Sequence, residues 1–361
     1  MPSRRRWPWC AKASIKSSAA NWKHSKFKRE CHSLSKTPKS KVLGTGRAVP
    51  ERVLTNADLE KMVDTSDEWI RSRTGIERRF IASKDDLTSK LCASAAQKAL
   101  AKAQISAEQL DAIIIGTVTG DAYFPSTACY VQEILGATNA AAFDLSAACS
   151  GFIYSLTVAD NMIAAGKARY VLVVGGEILS RITDWTDRAT CVLFGDGAGA
   201  VVIGPAQDEH GVIDTFIKSD GRLTSLLCMI GGGTKVPFDI ALSEKLFHLD
   251  MQGPEVFKHA VTAMGDAASS ILERNDMTGE DVSLLIPHQA NLRIITATAK
   301  RVNMPMEKVY VNVQDYGNTS AASIPIAIDE AFEKGRLRPN DLCLMVAFGG
   351  GFTWGSALIR F

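Results

Sequence analysis

The chain has 361 residues, 46% of them hydrophobic and 22% charged, a globular composition long enough for two domains or one large α/β unit. Its net charge of +2 is unevenly spread: over residues 1–41 the only acid is Glu30 among many lysines and arginines, so the remainder is acidic. That excludes a nucleic-acid binder beyond a basic tail, and no run of 18 apolar residues offers a membrane-spanning helix.

Residues 1–40 are rich in Lys, Arg and Ser and lack the apolar core of a secretory signal. They read as a disordered basic extension, with a transit peptide as the alternative. The eight cysteines are scattered, with no CxxC pair and no histidine at ligand spacing. Neither a metal site nor a disulfide framework is expected, and a reducing compartment fits.

Order begins near Lys41. Asn56 is expected to cap one helix, and Thr65 or Ser66 another that runs through Asp67-Glu68-Trp69. Thr88 opens a long Ala-rich amphipathic helix. Short apolar runs at 111–117, 140–145, 170–175 and 199–204 then alternate with helices. Continuous apolar runs of this length predict parallel strands covered on both faces. The second half repeats the order. Strands are expected at 282–286, 309–313, 342–347 and 355–361, with helices after Asn291 and before Gly335. The two halves, 41–208 and 209–361, read as an internal duplication of one βαβ-rich unit. Duplication places corresponding strand ends near a shared pseudo-two-fold axis, and sites in open α/β sheets form at such ends.

Three elbows at strand ends carry reactive residue types. Cys149 stands where an apolar run breaks into Ser146-Ala147-Ala148-Cys149-Ser150-Gly151 and a helix begins. Free N–H groups and partial positive charge at a helix start favour a thiolate. A lone thiol in such a stretch is more often an inert core residue. His288 follows a strand in Pro287-His288-Gln289-Ala290-Asn291, and Asn318 lies in Tyr316-Gly317-Asn318-Thr319-Ser320. Each is weak alone, and together on superposable halves they are a strong signal. The glycines of Gly44-Thr45-Gly46 and of 195–199 do not complete a dinucleotide fingerprint and read as turn and close-packing residues. Glycines 231–233 lie in a segment without periodicity, expected to be a loop.

With Ala147-Ala148-Cys149-Ser150-Gly151, His288-Gln289-Ala290-Asn291, Gly317-Asn318-Thr319-Ser320-Ala321 and Gly349-Gly350-Gly351-Phe352-Thr353-Trp354-Gly355, the sequence resembles the 3-oxoacyl-[acyl-carrier-protein] synthase III family from Lys41 to Phe361. The resemblance implies a thiolase-like, five-layered αβαβα fold of two duplicated halves. It also implies initiation of type II fatty acid synthesis, by decarboxylative Claisen condensation of acetyl-CoA with malonyl-acyl carrier protein. The products are acetoacetyl-acyl carrier protein, CoA and CO2, and no metal or redox cofactor is needed.

In this reading Cys149 attacks acyl-CoA and carries the acyl group as a thioester. The N–H groups of Cys149 and Gly350 form the oxyanion hole. His288 and Asn318 hold the enolate oxygen, and an Asn there in place of a second His or Cys marks the CoA-primed class. Trp69, Arg73 and Arg188 match the adenine site, and Phe257, Asn291 and Arg293 the pantetheine tunnel and its mouth. Phe124 matches a residue that reaches across a homodimer and limits acyl length, which implies small primers. Gln289, Lys258, Arg293, Lys300 and Arg301 are expected to meet the acidic acyl carrier protein. The segments 194–199 and 349–361 look closer to bacterial than to plastid members, which implies a cytoplasmic bacterial enzyme, with plastid stroma as the alternative. Neither nucleic acid nor membrane is expected as a partner. The rival functions are a condensing enzyme of secondary metabolism with longer or branched primers, and a non-catalytic acyl-binding paralogue.

Overall fold

Two sheets are built from the apolar runs. In the computed structural model, which describes residues 39–361, β1 (Ser40–Ala48), β2 (Ala112–Gly116), β3 (Ala141–Leu145), β4 (Val171–Glu177) and β5 (Gly197–Pro205) form the first, ordered β1-β5-β4-β2-β3. β6 (Gly211–Ser219), β7 (Leu284–Pro287), β8 (Leu342–Gly349) and β9 (Thr353–Arg360) form the second, ordered β7-β8-β9-β6. The expected extension over residues 1–40 lies outside the described residues except for Lys39 and Ser40, and Ser40 already opens β1.

Seven helices cover the sheets: α1 (Asp67–Thr74), α2 (Thr88–Ala103), α3 (Thr127–Leu135), α4 (Gly151–Ala164), α5 (Gly253–Arg274), α6 (Leu292–Arg301) and α7 (Ser323–Glu333). Ala95, Ala96 and Ala99 of α2 and Val131 of α3 pack on Ile113, Ile115, Leu172 and Val174. Phe152, Ile153 and Leu156 of α4 and Ile324 and Ile328 of α7 fill the space between the sheets, against Ile114, Val173, Ile286 and Met345. Met264 and Ile271 of α5 and Ile295 of α6 cover Leu285, Leu344 and Val346 on the far side. The layers are therefore helix, sheet, helix, sheet, helix, as in thiolase-like proteins. Ile113, Ile114 and Ile115 point alternately to two buried faces, so each loses its water whichever way it faces. Full burial of one such side chain stabilises the fold by about 1.5–3 kcal/mol.

The sequence expectations need four corrections. β5 forms at the predicted run but pairs antiparallel to both β1 and β4. Burial on both faces makes the run continuously apolar, and strand direction leaves no mark on it. No strand forms at 309–313: Val309 makes a single bridge to Leu285. The backbone groups beyond it are met by a side chain, because Gln289 donates to the Tyr310 carbonyl (3.1 Å) and accepts from the Asn312 N–H (3.0 Å). Thr55, not Asn56, caps the first short helix, and Asn56 turns inward to donate to the Ile76 carbonyl at 2.8 Å. Finally, the short ladder of Arg52–Thr55 with Arg78–Ile81, and β6, are strands the periodicity did not reveal.

The close-packing reading of Gly44 and Gly46 holds. A Cβ on Gly46 would stand 2.2 Å from the Ala95 carbonyl oxygen, so only glycine lets α2 lie against β1.

Candidate active site

The duplicated units put matching elbows on the middle layer. In the first, β3 ends at Leu145, a short turn spans Ala148–Ser150, and α4 follows. In the second, Gly317 leads to Asn318, a short turn spans Ser320–Ala322, and α7 follows. Each turn carries a non-glycine residue in the left-handed region, Ala148 at φ +46° and Ser320 at φ +48°. Such conformations are uncommon for residues with a Cβ and recur at functional sites.

Cys149 is buried, at 9% exposure. Burial pushes its thiol up to about 12, the Ser320 hydroxyl and its own backbone N–H oppose the rise, and the charge of Glu177 adds to it. This corrects the expectation that the helix start favours a thiolate. Desolvation of a charged sulfur outweighs the partial charge of one turn, so the resting group is the thiol. The strand end of β8 closes on this residue: a Cβ on Gly349 would lie 2.6 Å from the Cys149 nitrogen. Glycine there lets the chain that carries Gly350 pass beside the nucleophile. Thr353 fastens the two together by donating to the Ala147 carbonyl at 2.8 Å.

His288 leaves β7 with its N–H bonded to the Val346 carbonyl at 2.8 Å. Its ring is 3% exposed, and burial holds its pKa down to about 3, so the imidazole is neutral. Nδ1 lies 2.7 Å from Ser323 Oγ, and the Gln289 N–H points at the same oxygen at 3.4 Å. The serine oxygen keeps a second lone pair after accepting from Gln289, so the tautomer of His288 sets the direction of its bond to Nδ1. When the hydroxyl donates to Nδ1, the neutral ring carries its proton on Nε2, and that nitrogen is then a donor.

Asn318 is held in the same manner. Its N–H donates to the Leu193 carbonyl (2.8 Å) and its carbonyl accepts from Gly195 (3.1 Å). Its side-chain Oδ1 accepts from the Ser320 N–H at 2.9 Å. The oxygen is thus occupied and the Nδ2 group is the end presented to a ligand. Two neutral donors, on His288 and Asn318, suit an oxygen that becomes negative during reaction. Residues 318–323 touch all three sequence-predicted residues: they include Asn318, Ser320 reaches Cys149, and Ser323 holds His288.

The flanking expectations fare unevenly. The Arg188 guanidinium lies 5.0 Å over the Trp69 ring and that of Arg73 5.9 Å, so the three expected adenine contacts converge. Arg293 covers Phe257 at 5.0 Å, and Asn291 caps α6 while donating to the Arg73 carbonyl at 3.0 Å. The tunnel-mouth residues are therefore tied to the Trp69 group. Lys258 and Lys300 are exposed on adjacent helices, whereas Arg301 is engaged with Asp266 at 3.0 Å. Gln289 cannot meet a protein partner: it is 1% exposed, and its amide is spent on Pro287, Tyr310 and Asn312. Phe124 stands 85% exposed.

The sequence reading missed Ser323, Thr353, the role of Ser320, and the buried Glu177, which accepts from the Ser320 hydroxyl at 3.1 Å. Ser320 lay inside the quoted Asn318 motif. Glu177 had a signal of its own, an acid closing an otherwise apolar strand.

The comparisons agree with this geometry. Residues 143–221 match the family described as 3-Oxoacyl-[acyl-carrier-protein (ACP)] synthase III, and residues 272–361 match its C-terminal part. A beta-ketoacyl-[acyl-carrier-protein] synthase III of Caldanaerobacter subterraneus is 52% identical over 320 residues, covering 88% of this chain and 97% of the relative. The chain belongs to the 3-oxoacyl-[acyl-carrier-protein] synthase III family. A second member, from Thioalkalivibrio sulfidiphilus, is 51% identical over 89% of this chain and 99% of its own length. The crystal structure of the Aquifex aeolicus member superposes with a TM-score of 0.84 at 50% identity, covering 89% of this chain and all of that one. As a synthase III, the chain is an acyltransferase with a thiolase-like fold.

Proposed function

We propose that this synthase III joins an acetyl group from acetyl-CoA to malonyl-acyl carrier protein, releasing CoA and CO2 and starting fatty acid synthesis. The observation that carries the reading is the elbow at 318–323, which holds two neutral donors beside a buried thiol. Acylation puts the acetyl group on Cys149, with the N–H groups of Cys149 and Gly350 receiving the tetrahedral oxyanion. Loss of CO2 from the malonyl thioester leaves an enolate, whose oxygen takes hydrogen bonds from His288 Nε2 and Asn318 Nδ2. Its carbon then attacks the acetyl thioester and expels Cys149. Neutral donors serve this step without a proton transfer, which matches an imidazole held neutral by burial.

CoA is placed with its adenine between Trp69 and the guanidinium groups of Arg188 and Arg73. Its pantetheine arm runs past Asn291 and Phe257. Arg293, Lys258 and Lys300 form the basic rim for the acidic carrier protein, with Arg301 already paired. The exposure of Phe124, beside Tyr123 at 78%, supports a homodimer in which this loop is covered and completes the partner's acyl pocket. The bacterial relatives support a cytoplasmic bacterial enzyme.

The test is acyl trapping. Wild-type protein incubated with radiolabelled acetyl-CoA retains label after denaturation, and Cys149→Ala retains none and condenses at least about 10⁴-fold more slowly. Wild-type protein that takes up no label sinks the reading.

A further inference from the structure

Glu177 closes β4 with no exposed surface, in a place where a carboxylate needs partners. Its Oε2 accepts from the hydroxyls of Thr117 (3.2 Å) and Thr119 and from the Val118 N–H at 3.2 Å. Its Oε1 accepts from the Ser320 hydroxyl at 3.1 Å. Every one of these donors is neutral. Ser320 is itself buried, at 2% exposure, and its hydroxyl acts on the Cys149 thiol, drawing its pKa down against the effect of burial. Ser320 thus acts on the Cys149 thiol on one side and donates to Glu177 Oε1 on the other, and all three residues are buried.

We propose that Ser320 and Glu177 are a proton relay for the nucleophile, in which Ser320 positions the thiol and Glu177 stores the proton that the thiol gives up on acylation. The inference rests on the acyl-transfer reading above.

The step balances. As Sγ bonds to the acyl carbon, its proton passes to Ser320 Oγ while the Ser320 proton passes to Glu177 Oε1. The bond from the acyl carbon to the CoA sulfur breaks, and CoA leaves as a thiolate that takes a proton from solvent. Condensation later expels Cys149 as a thiolate, and Glu177 returns the stored proton through Ser320. Over the cycle one proton is consumed, as the loss of CO2 from a carboxylate requires.

Two observations favour Glu177 over His288 as the acceptor. His288 Nδ1 is paired with the Ser323 hydroxyl at 2.7 Å, and its Nε2 is the donor in the enolate step proposed above. Burial also moves the two groups in opposite senses, the carboxyl up to about 7 and the imidazole down to about 3, so Glu177 binds a proton more strongly. The titratable groups that face Glu177 are Cys149 from the nucleophile elbow and Cys92 from α2, and Asp121 and Asp144 act on Cys92 from the same region. None of them is a cation, so none pulls the proton off the carboxylate.

The test compares wild type, Glu177→Gln and Ser320→Ala as full chains. Gln keeps an acceptor for Ser320 and turns its amide to the threonine hydroxyls. Acylation by radiolabelled acetyl-CoA is followed by rapid quench from about pH 5.5 to 9, beside decarboxylation of a malonyl thioester and the thermal midpoint. Wild-type acylation should rise as Glu177 ionises near pH 7. Both variants should acylate roughly 100-fold more slowly and lose that limb, while decarboxylation stays within about threefold, because it uses only His288 and Asn318. Acylation at the wild-type rate with the limb intact overturns the relay. So does a joint fall of acylation, decarboxylation and thermal midpoint, which marks a structural tie alone. If wild type takes no acetyl label, the acyl-transfer reading fails separately, and alkylation of Cys149 by iodoacetamide over the same pH range decides the relay. Slowing of roughly tenfold in Glu177→Gln supports it, and equal rates refute it.

Discussion

The two halves share a sheet order and an elbow but not a fifth strand. In the first half β3 pairs along its whole length with β2 and delivers Cys149 directly. In the second, the corresponding position has shrunk to the Val309 bridge, and Gln289 takes over as the strand neighbour. The elbows themselves are alike, down to the left-handed residue in each. The comparison teaches that the duplicated backbone fixes where reactive side chains stand, while a few side chains decide what each elbow does. In the proposed reaction one elbow carries the nucleophile and the other carries the donors.

Several substitutions strain this comparison, beginning with the most severe. Asn318→Asp keeps the oxygen that accepts from Ser320 but replaces the free donor with negative charge. Decarboxylation of a malonyl thioester should fall by about 10²–10³-fold, with iodoacetamide labelling of Cys149 retained; equal loss in both would mean that the two elbows are not functionally separable. Gln289→Ala removes the surrogate strand edge and leaves a buried carbonyl and N–H unpaired. Stability should drop by about 3 kcal/mol in denaturant titration, and a drop within error would show that this edge does not need the side chain.

Titration separates the halves by sign. His288 has a folded pKa below its unfolded value, so the unfolded chain binds the extra proton and stability falls as pH drops from about 6.5 towards 3. Glu177 has a folded pKa above its unfolded value, so its contribution is full below about 4.5 and is lost as pH rises to about 7. Each slope is up to about 1.4 kcal/mol per pH unit within its window. Stability against pH should lose the rising limb in His288→Asn and the falling limb in Glu177→Gln. Unchanged curves would contradict the burial of both groups. The smallest effect belongs to the periphery: Trp69→Ala should raise the KM for acetyl-CoA by roughly tenfold with kcat little changed, since stacking contributes about 1–2 kcal/mol.

Much of this was legible beforehand, for identifiable reasons. The buried strands announce themselves because residues such as Ile113 to Ile115 are apolar on both faces. Ser66 and Asn291 announce helix starts because their side chains meet N–H groups two or three residues on. The three reactive residues stand out because Cys, His and Asn occur at strand ends. The strand at 309–313 was misread because its apolar run is real, while the pairing that decides its conformation comes from Gln289, twenty-odd residues away. The same distance hid the proper role of Gln289, whose place in a motif says nothing of its burial.

The sequence by itself determined the duplicated α/β framework and the family, and it singled out Cys149, His288 and Asn318 as the candidate nucleophile and its partners. These follow from local pattern and residue chemistry. Only the tertiary structure decided the states of those groups. Cys149 rests as a thiol, His288 is neutral, and Asn318 presents its amide nitrogen. Each state depends on desolvation and on groups brought from distant segments: Glu177, whose charge adds to the effect of burial on Cys149, Ser323 beside His288, and the turn at Ser320 that holds Asn318. Burial and long-range hydrogen bonds are properties of the packed chain, and no local pattern encodes them.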